Sequence, residues 1–481
     1  MIHTRLQKTS EISPDLPSVY LIGKSTDISA GGFSDEEKVY INKRIEKNDE
    51  FILVHRLDSY KCLVVNDYTR PFFSQLEFMR TVSRKLLSLV SSNDHTSLVM
   101  VDLVNDSELI LALVEGLILN NYRFDKYQRK DGKKDNFPDL ISIYSANLRE
   151  ENVSNLEVLC NAVYLARNLV NEPLSHLNAE GLAEEIRNLA GNSGFSAEVM
   201  GKDRIEALQM GGLLAVNRGS IDPPTFSILE WKPENCVNEK PIVLIGKGIV
   251  YDTGGLSLKP TAKSMDYMKS DMAGAAAVAG VFYALAGCGI PVHVIGLVPA
   301  TDNRPGGNAI VPGDVITMYD GTSVEVMNTD AEGRLILADA LSWAKQYDPH
   351  LVIDLATLTG SASAAIGMQG SVAMQKSADE WYEALEESGY YTHERLVEFP
   401  LWEEYMDMLK SDIADIKNIG GKQAGAITAG KFLEHFISFP WIHLDIAGTA
   451  FLHSDDNYRK KGGTAVGVRL LFDFFSKHAG K

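Results

Sequence analysis

Cysteine is scarce in the 481-residue sequence, and its four copies, Cys62, Cys160, Cys236 and Cys288, lie far apart. They form no CxxC pair and no disulfide framework, which is typical of a protein from a reducing compartment. The first residues, Met-Ile-His-Thr-Arg-Leu-Gln-Lys, also lack the apolar core of a secretory signal. Both absences favour a cytoplasmic location.

Positive charge is also in short supply, with 46 lysines and arginines against 64 aspartates and glutamates and a formal charge of −18. Such a chain is a poor partner for a nucleic-acid backbone or an anionic membrane surface, so we expect neither. The basic segment 128–135 therefore favours a solvated loop over a nucleic-acid patch.

Several familiar signatures are missing as well. The sequence contains no HExxH, no Gly-x-Ser-x-Gly and no P-loop, which argues against zincins, serine hydrolases and nucleotide kinases. The uncharged stretch 272–300 is long enough to span a membrane, but glycines and a proline interrupt it. We expect a buried helix over 273–285 and a buried strand over 292–298 instead.

The most informative stretch is the octet 328–335, Asn-Thr-Asp-Ala-Glu-Gly-Arg-Leu, in which Asp330, Glu332 and Arg334 alternate. In a strand this spacing directs all three side chains to one face. We expect Gly333 to break the strand and a helix to follow over 335–344, so that the charges lie at a strand end or in a loop, in front of a helix N-terminus. Like charges this close repel one another, and burial strengthens the repulsion unless a cation neutralises them.

A second charged segment lies upstream, with Lys247, Asp252 and Lys259 in a glycine-rich context and Asp271 soon after them. Together the two segments supply four carboxylates, two lysines and one arginine. This inventory suits two divalent cations together with cationic groups that hold a reacting anion. The simpler alternative, an ion pair between Lys247 and Asp252 without metal, leaves three carboxylates unexplained.

The octet, together with Gly-Lys-Gly-Ile-Val-Tyr-Asp-Thr-Gly-Gly at 246–255, closely resembles the two-zinc leucyl aminopeptidases of the M17 type. The resemblance extends from about residue 161 to the C-terminus and is weak before residue 150. It implies five metal ligands: Lys247, Asp252, Asp271, Asp330 and Glu332. Asp252 and Glu332 would bridge both ions, Asp330 would complete one site, and Lys247 and Asp271 would complete the other. Carboxylates are reasonable ligands for zinc, manganese or magnesium. An amine ligand such as Lys247 must be neutral, and two adjacent cations would favour that state.

The resemblance also assigns Lys259 and Arg334 to catalysis. Lys259 would stay protonated and stabilise the oxyanion of the tetrahedral intermediate. Arg334 would hold a bicarbonate that acts as general base toward a metal-bridging water, and a guanidinium suits such a planar anion. The alternative, in which Arg334 only pairs with Asp330 or Glu332, stays open.

The resemblance places five residues around the first side chain of a peptide substrate: Met268, Thr357, Gly360, Ala447 and Ala450. For Met268 and the two alanines, core packing is an equal alternative. The spacing from Lys259 to Asp271 is one residue longer than is usual in the family. We therefore expect the loop over the site to differ while the ligand set survives.

The chain is too long for one compact core, and we predict an α/β protein with two domains, residues 1–150 and 151–481. The first is a small accessory α/β domain without a catalytic cluster. The second contains a mixed, mostly parallel sheet flanked by helices. Its apolar segments 241–245, 292–297 and 351–355 are typical of central strands, and polar candidates follow each of them.

We therefore expect a metal-dependent aminopeptidase that removes leucine and other apolar N-terminal residues from peptides, and the resemblance implies a homohexamer. The substrate amino group would bind one metal, which restricts cleavage to the chain end. A two-metal phosphatase or nuclease would need more basic residues, and a DNA-binding role conflicts with the acidic composition. His443 and Asp445 alternate on a predicted strand, but we expect a satisfied core histidine there, because five ligands are already present.

Overall fold

The structure, a computed structural model, describes residues 2–13, 15–92, 95–129 and 136–478. Contacts divide the chain into two compact units. The smaller unit contains the chain up to Tyr164 and the segment Ser454–Lys460, and the larger contains Leu165–His453 and the chain from Lys461 onward. This division falls inside a helix, beyond the limit predicted at residue 150. Most of the basic segment 128–135 lies outside the described residues.

The smaller unit is a sheet with helices packed on it. Its strands are β1 (Arg5–Thr9), β2 (Ser18–Gly23), β3 (Phe51–His55), β4 (Tyr60–Asn66), β5 (Ser97–Asp102) and β6 (Leu140–Tyr144). Its helices are α1 (Asp35–Glu46), α2 (Phe72–Ser91) and α3 (Ser107–Asn120). Among the described residues the strand order is β1-β6-β5-β2-β4-β3, with only the β3–β4 pair antiparallel. The α/β class predicted for this region is confirmed.

Local sequence signals account for much of this unit. The Ser34 hydroxyl accepts the N–H of Glu37, and the Glu37 side chain accepts the N–H of Ser34, so a capping box begins α1. Strand β2 is buried along its whole length because it lies between two parallel neighbours. The edge strand β1 escapes prediction because its sequence, Arg-Leu-Gln-Lys-Thr, is mostly polar.

Helix α4 (Glu150–Asn171) spans the division, and the larger unit follows it. The strands of that unit are β7 (Ser196–Met200), β8 (Thr225–Trp231), β9 (Ile242–Gly246), β10 (Gly248–Asp252), β11 (Val294–Asn303), β12 (Asp314–Thr317), β13 (Ser323–Val326), β14 (Leu351–Ala356), β15 (Ser371–Lys376), β16 (Leu396–Glu398), β17 (Ile416–Lys417), β18 (Trp441–Asp445), β19 (Phe451–Leu452) and β20 (Gly462–Gly463). Its helices are α5 (Ala179–Ser193), α6 (Lys202–Ala207), α7 (Gly211–Asn217), α8 (Ala273–Cys288), α9 (Gly333–Ala344), α10 (Gly360–Ile366), α11 (Asp379–Thr392), α12 (Gly425–Glu434) and α13 (Val468–His478).

The main sheet of the larger unit has a parallel centre and antiparallel flanks. In the described residues its order is β16-β15-β18-β14-β9-β11-β8-β7, and β10 pairs with β11. Strands β18, β14, β9 and β11 are mutually parallel, whereas β15 and β8 run against their inner neighbours. The predicted mixed, mostly parallel sheet is therefore confirmed. The carboxyl ends of the four parallel strands meet at one edge, where such sheets bind ligands.

The uncharged stretch forms α8 and then β11, as predicted. Every residue of β11 is buried, and α8 is buried along most of its length. In the described part of the chain, the segment Met265–Cys288 is the one helical run long and apolar enough to cross a membrane. Within its most apolar window 78% is buried inside the protein, which is the pattern of a core helix.

One feature of the larger unit has no counterpart in the sequence predictions. A small sheet of β12, β13 and β17 was not predicted, because strands of two to four residues leave almost no periodic signal.

Candidate active site

Lys247 lies between β9 and β10, at the carboxyl end of a central strand. Its Nζ contacts three acceptors: Asp271 Oδ1 at 2.9 Å, Glu332 Oε1 at 3.0 Å and the Thr357 carbonyl oxygen at 2.8 Å. The lysine side chain is only 2% exposed. The acceptors come from the start of α8, the octet and the segment after β14, so this side chain joins three separate parts of the chain.

The octet forms a turn between β13 and α9, which is the loop arrangement of the two expected from the sequence. Gly333 begins α9 instead of breaking a strand, so the helix starts two residues earlier than predicted and Arg334 lies in its first turn. A Cβ on Gly333 would lie 2.4 Å from Cε and 2.6 Å from Nζ of Lys247, which explains why glycine is needed there. The two carboxylates still precede a helix N-terminus, as expected.

Lys259 follows β10 after a glycine-rich turn. Its Nζ lies 2.9 Å from Asp252 Oδ2 and 2.6 Å from Asp330 Oδ1. The ion pair with Asp252, considered above for Lys247, is therefore made by the other lysine. Each of the two lysines thus bridges two carboxylates, and the two sets do not overlap.

The carboxylates converge closely. One carboxylate oxygen from each of Asp252, Asp271 and Glu332 lies within 4.8 Å of the other two, and all three residues are buried. Asp271 Oδ2 and Glu332 Oε2 are buried without a hydrogen-bond partner, although buried polar atoms are normally paired. Hard oxygen donors with free lone pairs, gathered in a cluster of negative charge, fit divalent cations.

The pKa values in the site reflect this crowding of buried charges. Burial raises the pKa of Asp252 to about 7, and repulsion from Glu332 adds to the effect. Burial also raises the pKa of Asp271 well above its ordinary value. For Glu332 the attraction of Lys247 and Lys259 outweighs burial and lowers the pKa. Burial disfavours the Lys247 ammonium, but Asp271 and Glu332 outweigh it and raise the pKa of that lysine.

Arg334 is buried and largely unpaired. Its Nη1 donates to the Asn418 carbonyl oxygen at 2.8 Å, whereas its Nε is buried without a hydrogen-bond partner. Among the described residues, no carboxylate forms an ion pair with this guanidinium, so the alternative pairing with Asp330 or Glu332 is not made. Burial lowers the pKa of Arg334 to about 10, which still leaves it charged near neutral pH.

Comparison with known proteins places this site in a family. The profile of the catalytic domain of the cytosol aminopeptidase family (Peptidase_M17) matches residues 164–472. The chain belongs to the M17 cytosol aminopeptidase family. It is therefore a metal-dependent aminopeptidase, a hydrolase of the metallo-exopeptidase class.

Relatives of this aminopeptidase include two probable cytosol aminopeptidases. The protein from Chlorobium phaeobacteroides is 46% identical over 386 residues, which cover 77% of this chain and 76% of the relative. That from Chlorobaculum tepidum is 49% identical over 381 residues, 76% of this chain and 75% of the relative. The solved structure of the bottromycin maturation enzyme BotP in complex with Mn is 28% identical, with a TM-score of 0.84, and covers 97% of this chain and 100% of that chain.

Two asparagines support the site and escape the sequence analysis. Asn303, at the end of β11, donates from Nδ2 to Asp252 Oδ1 at 2.8 Å. Asn418 is fully buried, donates to the Asn328 carbonyl oxygen at 2.8 Å and accepts from Arg334 with its own carbonyl. Asn303 could have been identified from the sequence because it lies at the end of a central strand. Asn418 could not, because the two-residue strand before it leaves no recognisable pattern in the sequence.

The residues predicted around the first substrate side chain lie in different environments. Met268 and Ala447 are half-buried, and Gly360 is exposed at the start of α10. Ala450 is only 1% exposed, so its methyl group offers almost no accessible surface. Thr357 contacts the candidate metal ligands directly, because its hydroxyl donates to Asp271 Oδ1 at 2.8 Å.

His443 and Asp445 have structural partners and lie outside the carboxylate cluster. His443 Nδ1 lies 2.6 Å from Asp354 Oδ1, and both residues are fully buried, while His443 Nε2 has no hydrogen-bond partner. Asp445 accepts the Leu358 N–H at 3.1 Å and the Thr359 hydroxyl at 2.7 Å. The histidine is a core residue, as expected, but its Nε2 is not satisfied. Asp445 holds the segment that follows β14.

Proposed function

We propose that this aminopeptidase cleaves the first peptide bond of its substrates with two divalent cations, held by five side chains: Lys247, Asp252, Asp271, Asp330 and Glu332. The observation that carries the proposal is the buried cluster of Asp252, Asp271 and Glu332, in which one oxygen from each residue lies within 4.8 Å of the others. The cluster also contains two oxygens without hydrogen-bond partners. Bound cations would supply an activated water and polarise the scissile carbonyl. Zinc and manganese suit this mixed oxygen and nitrogen donor set, with magnesium a further option.

Lys247 would act as a neutral amine ligand. Its present partners are anionic, and their attraction raises its pKa. Cations bound to Asp271 and Glu332 would repel the ammonium proton and favour the free amine. Burial, which already opposes the charged form of this 2% exposed side chain, would act in the same direction.

Lys259 would remain an ammonium and stabilise the oxyanion of the tetrahedral intermediate. Burial opposes its charge, but Asp252, Glu332 and Asp330 outweigh burial and raise its pKa. At 16% exposure, its side chain is more accessible than that of Lys247. A charged group at a more open position is suited to contact with substrate.

Arg334 would hold a bicarbonate ion, and the bicarbonate would act as the general base. Support comes from its unpaired Nε and from the absence of a carboxylate partner within the described residues. A buried guanidinium with free donors attracts a planar anion through paired hydrogen bonds. Its pKa of about 10 keeps it charged during such binding.

The substrates would be peptides with leucine or another apolar residue at the N-terminus. The free amino group, bound to one cation, would restrict cleavage to that end. Met268, Thr357, Gly360, Ala447 and Ala450 are the residues proposed to surround the first side chain. The acidic net charge of −18 disfavours a nucleic-acid or anionic membrane partner.

Hydrolysis of a panel of aminoacyl amides, with and without a strong chelator, tests the proposed function. Leucyl and other apolar amides should be cleaved fastest, chelation should abolish the activity, and zinc or manganese should restore it. An N-acetylated leucyl amide is the matched control and should resist cleavage, because it lacks the free amino group. Full activity in a verified metal-free sample would refute the two-cation site.

We further propose a homohexamer in the cytoplasm, on the basis of the resemblance to M17 enzymes. Light scattering should give about six times the 52.9 kDa mass of one chain. A monomer at working concentration would contradict this assembly without affecting the proposed chemistry.

A further inference from the structure

Thr357 makes two hydrogen bonds to candidate metal ligands from opposite ends of the residue. Its carbonyl oxygen accepts from Lys247 Nζ at 2.8 Å, and its hydroxyl donates to Asp271 Oδ1 at 2.8 Å. Lys247 Nζ and Asp271 Oδ1 are themselves 2.9 Å apart. Thr357 therefore closes a small ring of hydrogen bonds around the two side chains.

The segment that carries Thr357 is firmly held. Asp445 Oδ1 accepts the N–H groups of Leu358 at 3.1 Å and Thr359 at 3.4 Å, and its Oδ2 accepts the Thr359 hydroxyl at 2.7 Å. Thr359 in turn caps α10 by accepting the Ala362 N–H at 3.0 Å. Asp445 is 1% exposed, and β18 fixes its backbone beside β14. The position of Thr357 is thus set by a buried carboxylate on the neighbouring strand.

We propose that Thr357 is a positioning residue for one half of the metal site, and that Asp445 holds it in place. The role rests on the proposed two-cation site and differs from the pocket-lining role implied by family resemblance. The Thr357 hydroxyl donates a hydrogen bond to Asp271 Oδ1. Asp271 Oδ2 has no hydrogen-bond partner and is therefore available to a cation. The carbonyl fixes the Lys247 amine by accepting one N–H, which a neutral amine still carries. Residues that hydrogen-bond to metal ligands orient those ligands and change the affinity for the metal.

The two halves of the proposed metal site differ in their contacts with Thr357. Lys247 and Asp271 are the two ligands proposed to serve one cation alone, and both contact Thr357. Asp330, proposed for the other cation, is instead joined to Lys259. Loss of the Thr357 hydroxyl should therefore weaken one cation and spare the other.

The experiment compares Thr357→Val, which removes only the hydroxyl, with Thr357→Ser, which keeps it. Calorimetric titration of the full-length apo protein with Mn²⁺ and with Zn²⁺ gives the affinity and number of ions in each variant. For Thr357→Val we expect one of the two ions to bind about 10- to 100-fold more weakly. The serine variant should restore wild-type affinity for both ions. Thermal unfolding of both variants in excess chelator should match the wild type, which separates positioning from a loss of fold.

Asp445→Ala tests whether Asp445 holds Thr357 in position. It should weaken the same ion as Thr357→Val, and the double variant should add little to either change, because both act through one segment. If Thr357→Val binds both ions with wild-type affinity, the inference is wrong and a pocket-lining role stands. If the wild-type protein itself binds no ions, the proposed function fails first, so the two failures are distinguishable.

Discussion

Lys247 and Lys259 lie in one segment of the chain, and we propose different chemistry for them. Lys247 is almost fully enclosed and contacts Asp271 and Glu332, whereas Lys259 is partly accessible and contacts Asp252 and Asp330. A metal ligand must donate a lone pair, and an oxyanion stabiliser must keep its proton. The same residue type can serve both purposes because protonation follows from the neighbouring charges.

The first prediction separates the two lysines by substitution. Lys247→Ala should lower both metal content and rate, and Lys247→Arg should fail as well, because a guanidinium does not lose its proton. Lys259→Ala should keep both metals and lower turnover on the order of a hundredfold or more. Elemental analysis beside steady-state kinetics decides between them. A loss of metal in Lys259→Ala but not in Lys247→Ala would reverse the assignment.

The second prediction concerns Gly333, the first residue of α9. In Gly333→Ala the new methyl group would meet the enclosed Lys247 side chain at 2.4 Å from Cε, so the lysine must leave its position. Metal content and activity should fall, although the helix itself tolerates alanine at this position.

Gly191→Ala provides the matched control for that substitution. Gly191 also lies in a helix, and no atom lies within 4 Å of a Cβ built there. This variant should keep full activity and gain about 0.5–1 kcal/mol of unfolding free energy. If Gly333→Ala behaved like Gly191→Ala in metal content and rate, the close approach to Lys247 would be functionally unimportant.

At the scale of elements, the site exists because four strand ends meet. Lys247, Asn303, Thr357 and Asp445 end or follow β9, β11, β14 and β18, the parallel strands at the centre of the main sheet. Helix α8 begins two residues after Asp271 and packs against this centre. The distance between α8 and the sheet therefore helps to fix Asp271 relative to Lys247.

The third prediction tests that distance through Gly274, near the start of α8. A Cβ there would lie 2.0 Å from the Leu355 carbonyl oxygen and 2.9 Å from the Lys247 backbone nitrogen, both rigid parts of the sheet. Gly274→Ala should lower the unfolding free energy by about 1–3 kcal/mol or more, since overpacking forces backbone shifts. It should also weaken metal binding. Thermal unfolding and metal titration measure the two effects, and an unchanged melting temperature would contradict the proposed close packing.

The sequence predicts these elements unevenly, for physical reasons. Long apolar segments such as β9 and β14, and the capped helix α1, follow from local periodicity and caps. The alternating charges of the octet are compatible with a strand end or a loop, and tertiary hydrogen bonds to Asn418 fix the turn that forms there. The proposed metal ligands follow from the family resemblance. The supporting contacts of Asn303, Asn418 and Asp445 could not be predicted, because they form only when distant segments of the chain come together.

At the scale of the molecule, bound metal should act as a cross-link of the larger unit. The proposed ligands come from the end of β9, the end of β10, the start of α8 and the turn before α9, so an ion joins segments that the unfolded chain separates. Binding to the folded state alone stabilises it by about 2.7 kcal/mol when the free ion is at 100 times its dissociation constant.

The fourth prediction follows from this linkage. Differential scanning calorimetry of the apo protein should show a melting transition that moves upward with each increase in free Zn²⁺ or Mn²⁺. The shift should be reduced in Glu332→Gln, which removes the charge of a proposed bridging ligand, and preserved in Gly191→Ala. Glu332 contacts Lys247 at 3.0 Å, and its second oxygen is buried without a hydrogen-bond partner. The neutral amide of Glu332→Gln would therefore also balance less of the positive charge of the buried Lys247. If the melting temperature of the wild type did not change with metal concentration, the buried carboxylates would be held together by Lys247 and Lys259 alone.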